Sequence, residues 1–164
     1  DFIGHTMYLR TLQTALPLIQ KYPDTPVEVL PIHEFNYQSA QAYIGTTVEQ
    51  RRERALEYWK KNDPLHKDGD EAESFMECVD RILFALPEIA NKNQEMLVIY
   101  THGQILQLMR LLLDKKTKNL PTREIMQTYF LRESKEPIKN CEVLKVTIED
   151  EEWGEMESVF TPKV

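Results

Sequence analysis

The sequence predicts an α/β fold with a largely parallel sheet flanked by helices and a C-terminal antiparallel hairpin. Helical stretches alternate with strand-like runs over most of the chain, one of those runs is continuously apolar, and only the last quarter shows period-two alternation. The continuous run is Met96-Leu97-Val98-Ile99-Tyr100, and its lack of alternation suits a strand covered on both faces, the habit of parallel sheets. Thr101-His102-Gly103 follows at once and leads into a helical stretch over residues 104–113. His102 therefore stands where a strand hands over to a helix, and parallel sheets bind ligands in the crevice beyond the carboxyl ends of their strands. Gly103 keeps the backbone open to close approach, and the N–H groups after it begin a helix whose positive end favours a phosphate or carboxylate. A histidine at a strand end also serves as a plain hydrogen-bonded linker, and position alone does not choose.

The elements read as follows. Asp1-Phe2-Ile3-Gly4 is the tail of a strand. Residues 8–21 then place Leu9, Leu12, Ala15, Leu16 and Ile19 on one helical side, with Thr6 as N-cap and Arg10 in the first turn. A guanidinium there grips a phosphate with paired donors, although an exposed arginine on a solvated face has the same sequence appearance. Pro23 and Pro26 bracket a turn, Val27-Glu28-Val29-Leu30 is a short strand, and residues 32–37 form the loop leaving it. Residues 48–61 suggest a surface helix with Val48, Leu56 and Trp59 on its apolar side, followed by a polar loop over 62–70. Asp70 and Glu73 have capping-box spacing ahead of a helix carrying Phe75, Val79, Ile82, Leu83 and Leu86, whose end Pro87 disturbs. Residues 125–131 carry no clear period. The alternation over 141–148, a turn over 149–154 and a last run over 155–161 make the hairpin, an embellishment at the sheet edge.

With 164 residues and 41% hydrophobic content the chain supports one core of ordinary size, and no Gly/Ser- or Pro-rich linker divides it, so residues 1–164 read as one domain. A net charge of −7 argues against nucleic-acid and anionic-membrane surfaces, and no stretch has the apolar length of a membrane span. Cys78 and Cys141 lack metal spacing and fit a reduced cytoplasmic setting better than a disulfide scaffold. A natural protein rarely opens inside an apolar strand, so a segment ahead of Asp1 is expected.

Several segments, taken in chain order, resemble one family. Thr6-Met7-Tyr8-Leu9-Arg10-Thr11-Leu12-Gln13-Thr14-Ala15 resembles the Ser-Pro-Leu-x-Arg-x-x-x-Thr-Ala stretch of the histidine phosphatase superfamily, the phosphoglycerate-mutase-like proteins. The loop Ile32-His33-Glu34-Phe35-Asn36-Tyr37 is similar to its Leu-x-Glu-x-x-Phe-Gly loop, and Tyr100-Thr101-His102-Gly103 to its second histidine motif. Ala72-Glu73-Ser74-Phe75 with Arg81, and Asn140-Cys141, agree more weakly. The resemblance implies a three-layer α/β sandwich and a phosphohistidine intermediate. It also implies Arg10 and His102 as phosphoryl ligands beside the Gly103 backbone, and Glu34 as proton donor to the leaving alkoxide and later base for water. No cofactor is implied, and a phosphoryl in flight needs no metal where cationic donors surround its equatorial oxygens.

The departures matter as much. The family's Arg-His-Gly, which carries the nucleophile, occurs nowhere in the chain; Met7 stands for a proline, Gln38 for the glycine after the aromatic, and Ala72 for the glycine before Glu73. His5 lies just ahead of the second motif and is poorly placed to attack, while His33 and His66 read as surface loop residues. Glu34 without the resemblance is a solvated carboxylate; Glu73 is a rival acid that capping would explain; Asn140 reads as a turn residue. The expectation is thus a phosphomonoester hydrolase or phosphomutase, acting on a phosphorylated small molecule when the upstream segment is present and inactive without it. The alternative is a non-catalytic domain that binds a phosphorylated ligand or protein. A metal hydrolase is a poor third, because no two of His5, His33, His66 and His102 have helix-ligand spacing with a supporting carboxylate.

Overall fold

The computed structural model describes residues 1–163. In chain order it contains β1 (Phe2–His5), α1 (Leu9–Lys21), β2 (Val27–Val29), a 3₁₀ turn (Gln41–Tyr43), α2 (Val48–Lys61), α3 (Phe75–Ala90), β3 (Leu97–Tyr100), α4 (Gly103–Leu113) and α5 (Thr122–Lys135). Four short strands follow: β4 (Val143–Lys145), β5 (Ile148–Glu149), β6 (Glu152–Trp153) and β7 (Glu157–Phe160).

β1, β2 and β3 form a parallel sheet in the order β2-β1-β3. The connection through α1 leads from β1 to one side, and the connection through α2 and α3 leads back past β1 to the other. Parallel crossovers are right-handed as a rule, which puts the helices of the two connections on opposite faces and gives the three-layer α/β arrangement. It also makes the gap between the ends of β1 and β3 the point where winding reverses, the place where such sheets bind ligands. Gly4 at the centre of β1 leaves room for a neighbour, since a Cβ there would stand 2.5 Å from Leu30 Cδ1.

The main core lies where α3, α4 and α5 meet the sheet. Phe75, Val79, Ile82, Leu86 and Ile89 repeat at helical spacing along α3 and are buried against Ile105, Leu108 and Leu111 of α4 and Met126 and Tyr129 of α5. Each apolar side chain so enclosed stabilises the fold by roughly 1.5–3 kcal/mol relative to exposure. On the α1 side Ala15 is enclosed completely.

Several expectations need correction. Leu97–Tyr100 is half-buried throughout, not fully enclosed, and β3 is an edge strand that pairs only with β1 among the described residues. Thr6 does not cap α1: the N-cap position is Tyr8, without a side-chain bond, and the Thr6 hydroxyl is drawn inward to other partners. The capping box of α3 is Ser74 with Glu77, not Asp70 with Glu73, because residues 69–72 close a turn of their own, Ala72 N–H donating to Gly69 C=O at 3.0 Å. Pro87 does not end α3, which runs on to Ala90; a proline near a C-terminus forgoes one bond, and Leu83, whose carbonyl loses it, is 48% exposed. Residues 125–131 lie inside α5, and a further capping box, Thr47 with Gln50, opens α2. The hairpin is nested: β5 and β6 pair around Asp150 and Glu151, both at positive φ, and β4 pairs with β7 outside them. These ladders are separate from the parallel sheet, so the hairpin does not extend its edge. No helix among the described residues is long and apolar enough to cross a membrane.

Candidate active site

The end of β1, the first turn of α1, the loop after β2 and the β3–α4 junction converge at the reversal point. β3 ends at Tyr100, and His102 occupies the N-cap position of α4 in extended backbone, its side chain only 3% exposed. Gly103 follows with no side chain capping the helix, and Ile138 C=O approaches so closely that a Cβ at Gly103 would lie 3.1 Å from it. From the other junction Arg10 reaches across, placing Nε at 3.2 Å and Nη2 at 3.0 Å from His102 Nδ1. A guanidinium can only donate, so Nδ1 is the acceptor and the ring carries its proton on Nε2, which donates to Thr6 Oγ1 at 3.0 Å. The Thr6 hydroxyl then faces Thr11 Oγ1 at 2.9 Å, and Thr11 donates to Tyr8 C=O at 2.8 Å. This series of hydroxyls fixes both tautomer and ring orientation.

Burial, then the charges of Arg10, His33 and Arg81, push the His102 pKa down to about 4. The imidazole is therefore neutral near pH 7, and its 3.5 Å approach to Glu34 Oε2 is not an ion pair in that state. Glu34 Oε2 also lies 3.6 Å from Arg10 Nη2. Burial raises the Glu34 carboxyl above its usual range, with Arg10 opposing. A carboxyl held toward protonation beside a guanidinium and a histidine suits an acid that delivers a proton where an anion binds.

The acid loop is fastened from two elements. Arg81 of α3 donates Nη1 to the carbonyls of Pro31 at 2.8 Å and His33 at 3.1 Å, while Thr101 Oγ1 donates to Ile32 C=O at 2.6 Å. Arg81 also makes a paired contact with Glu73 at 2.7 and 2.8 Å. This ion pair, and not capping, explains Glu73, and it turns that carboxylate toward α3. Tyr8 hydroxyl donates to Asn36 Oδ1 at 2.9 Å, and its ring lies 4.3 Å below the Arg10 guanidinium and edge-on to His102 at 5.2 Å.

Of the residues singled out from sequence, Arg10, Glu34, His102 and Gly103 are brought together. His5 is nearby but turned to the backbone, Nδ1 lying 2.8 Å from Thr6 C=O. His33 is not a surface residue: it is half-buried, with its ring 6.4 Å from that of Tyr8, and burial and Arg81 lower its pKa. His66 lies apart, beside Lys61 and Tyr58. Sequence reading missed Tyr8, Thr11 and Arg81 as supports; only the i, i+5 spacing of Thr6 and Thr11 around a helix start hinted at theirs. Among the described residues no three His, Cys, Asp or Glu side chains gather at a metal-sized site.

With this geometry in view, comparison with known families is decisive at the level of class: the model of the histidine phosphatase superfamily (branch 1) matches residues 1–157, and the chain belongs to that superfamily. Its members are in general phosphatases or mutases. No curated protein matches the chain.

Proposed function

We propose that the protein is a phosphomonoester hydrolase or phosphomutase working through a phosphohistidine intermediate. Arg10, His102 and the Gly103 backbone hold the phosphoryl group, Glu34 is the acid and base, and the nucleophilic histidine comes from a segment outside these 164 residues. The observation that carries the reading is the meeting of Arg10, His102 and Glu34 within 3.6 Å of one another at the sheet's reversal point. An incoming phosphoryl group draws Arg10 away from His102 Nδ1, and its negative charge favours a proton on that nitrogen, since Nε2–H is already given to Thr6. The incoming nitrogen forms the N–P bond as the ester P–O bond breaks, and Glu34 passes its proton to the leaving alkoxide. Glu34 then takes a proton from water, whose oxygen attacks phosphorus as the N–P bond breaks, freeing the histidine and releasing phosphate. The far edge of β3, unpaired among the described residues, supports docking of a further strand beside His102. The substrate is a phosphorylated small molecule, not nucleic acid or membrane, and the free thiols of buried Cys78 and exposed Cys141 suit a cytoplasmic location.

The test uses the full-length protein. Glu34→Gln should slow turnover of alkyl phosphates by on the order of 10² to 10⁴ and of nitrophenyl phosphate much less, and acid-labile phosphoenzyme should be trapped. These 164 residues alone should bind phosphate or vanadate without turnover. Phosphate binding by the full-length protein with neither turnover nor phosphoenzyme would replace this reading with the non-catalytic phosphate-binding domain.

A further inference from the structure

Buried side-chain atoms that find no hydrogen-bond partner within the protein include Glu34 Oε1, Gln104 Oε1, Glu133 Oε2 and the Tyr129 hydroxyl. Their elements meet beside the site. Glu34 Oε2 lies 3.5 Å from His102 Nδ1, Gln104 is two residues further on in the first turn of α4, and Glu133 is in the last turn of α5, which Gln107 of α4 ties down by donating Nε2 to Glu136 C=O at 2.9 Å. Tyr129 lies one turn before Glu133 on the same side of α5, and the residue is 1% exposed. In keeping with that placement, burial and the Glu34 charge both raise the Glu133 carboxyl, and the Tyr129 hydroxyl feels both acids. No cation lies within ion-pair distance of Glu133 among the described residues, whereas Glu34 has Arg10 only on its Oε2 side. Each such atom left without a partner costs about 1–3 kcal/mol, so a group of them beside a proton donor calls for a ligand that satisfies them.

The chemistry of that ligand is set by the atoms on offer. The Glu133 carboxyl and an amide oxygen accept, the tyrosine hydroxyl can do either, and Glu34 gives its proton to the leaving alkoxide. Arg10 and His102 take the phosphoryl group, so the alcohol part of an ester leaves on the Glu34 side, beside the start of α4. We propose that this alcohol carries hydrogen-bond donors, hydroxyl or ammonium, received by Glu133, Gln104 and Tyr129, with Glu133 the residue that determines specificity. An alcohol bearing a carboxylate would meet acceptors where it needs donors. The proposal rests on the phosphoester reading above.

The full-length protein is assayed on glycerol 1-phosphate, O-phosphoethanolamine, propyl phosphate and 3-phosphoglycerate. A hydrogen bond to a charged group makes kcat/KM roughly 10- to 100-fold higher for a donor-bearing ester than for propyl phosphate, with 3-phosphoglycerate lowest. Preference for the ethanolamine ester identifies ammonium and preference for the glycerol ester identifies hydroxyl; Glu133→Leu abolishes either, and Glu133→Gln keeps more of the hydroxyl preference. Equal rates on propyl phosphate, or a preference that survives Glu133→Leu with native circular dichroism, overturn the proposal. If none of the esters is hydrolysed, the phosphoester reading fails separately. Calorimetric affinities for the same four compounds then decide, and equal or undetectable binding overturns the specificity assignment.

Discussion

Replacing His102 with Asn removes the one imidazole that the fold holds strongly neutral, and the effect on stability should depend on pH with a definite sign. In the unfolded chain a histidine titrates near ~6.5, whereas in the native protein burial, then Arg10, His33 and Arg81, lower the value to about 4. Above the unfolded value neither state binds the proton and the group adds no pH dependence. As pH falls from about 6.5 toward 4 the unfolded state takes up a proton that the native state refuses, so stability declines. The difference corresponds to about 3 kcal/mol over the whole window and roughly 2 kcal/mol by pH 5, since a side chain only 3% exposed is little screened by solvent. Urea unfolding of wild-type protein and His102→Asn between pH 4.5 and 7.5 should give a stability difference that shrinks or reverses toward acid. The imidazole ¹⁵N spectrum should show a single proton, on Nε2, down to about pH 5. A pH-independent difference, or a doubly protonated ring at pH 6, would refute both the tautomer and the hydroxyl series built upon it.

Arg10→Ala should weaken phosphate binding roughly 10- to 100-fold by calorimetry. It should also raise the His102 pKa only partway, since burial remains the largest cause; an unchanged phosphate affinity would remove Arg10 from the anion site. Arg81→Met strips donors from Glu73 and from the carbonyls of Pro31 and His33, so unfolding free energy should fall by about 2–4 kcal/mol, and an unshifted urea midpoint would contradict the pairing. Gly4→Ala, which crowds Leu30, should cost roughly 1–3 kcal/mol by the same measurement, with wild-type stability counting against the close approach.

The strand-to-helix junctions were legible because continuous apolar runs and helical periods leave local traces, and from them Arg10 and His102 could be placed at the same edge of the sheet. The cap of α3 was legible too, in Ser74 and Glu77, but the nearby Asp70 and Glu73 have the same spacing and nothing local separates them. α5 gives a weak period because Phe130 lies off the side that buries Ile125, Met126 and Tyr129, where it is held by stacking on Trp59 of α2. The half-burial of His33 and the neutrality of His102 depend on Tyr8, Arg10 and Arg81, which arrive from other elements. Likewise the exposed edge of β3 follows from strand order, which no local pattern encodes.

The three consecutive carbonyls ahead of Glu34 are all held, at Pro31 and His33 by Arg81 and at Ile32 by Thr101. Every amino acid brings a carbonyl, so what fixes the acid in space is independent of which side chains occupy 31 and 33. Those two positions can be randomised in a library while Glu34 keeps its address, and His33, beside the site, becomes the natural place to diversify recognition. The burden of holding the acid rests on two residues remote in sequence, Arg81 and Thr101, and a library that varies either should lose the acid's placement together with its activity.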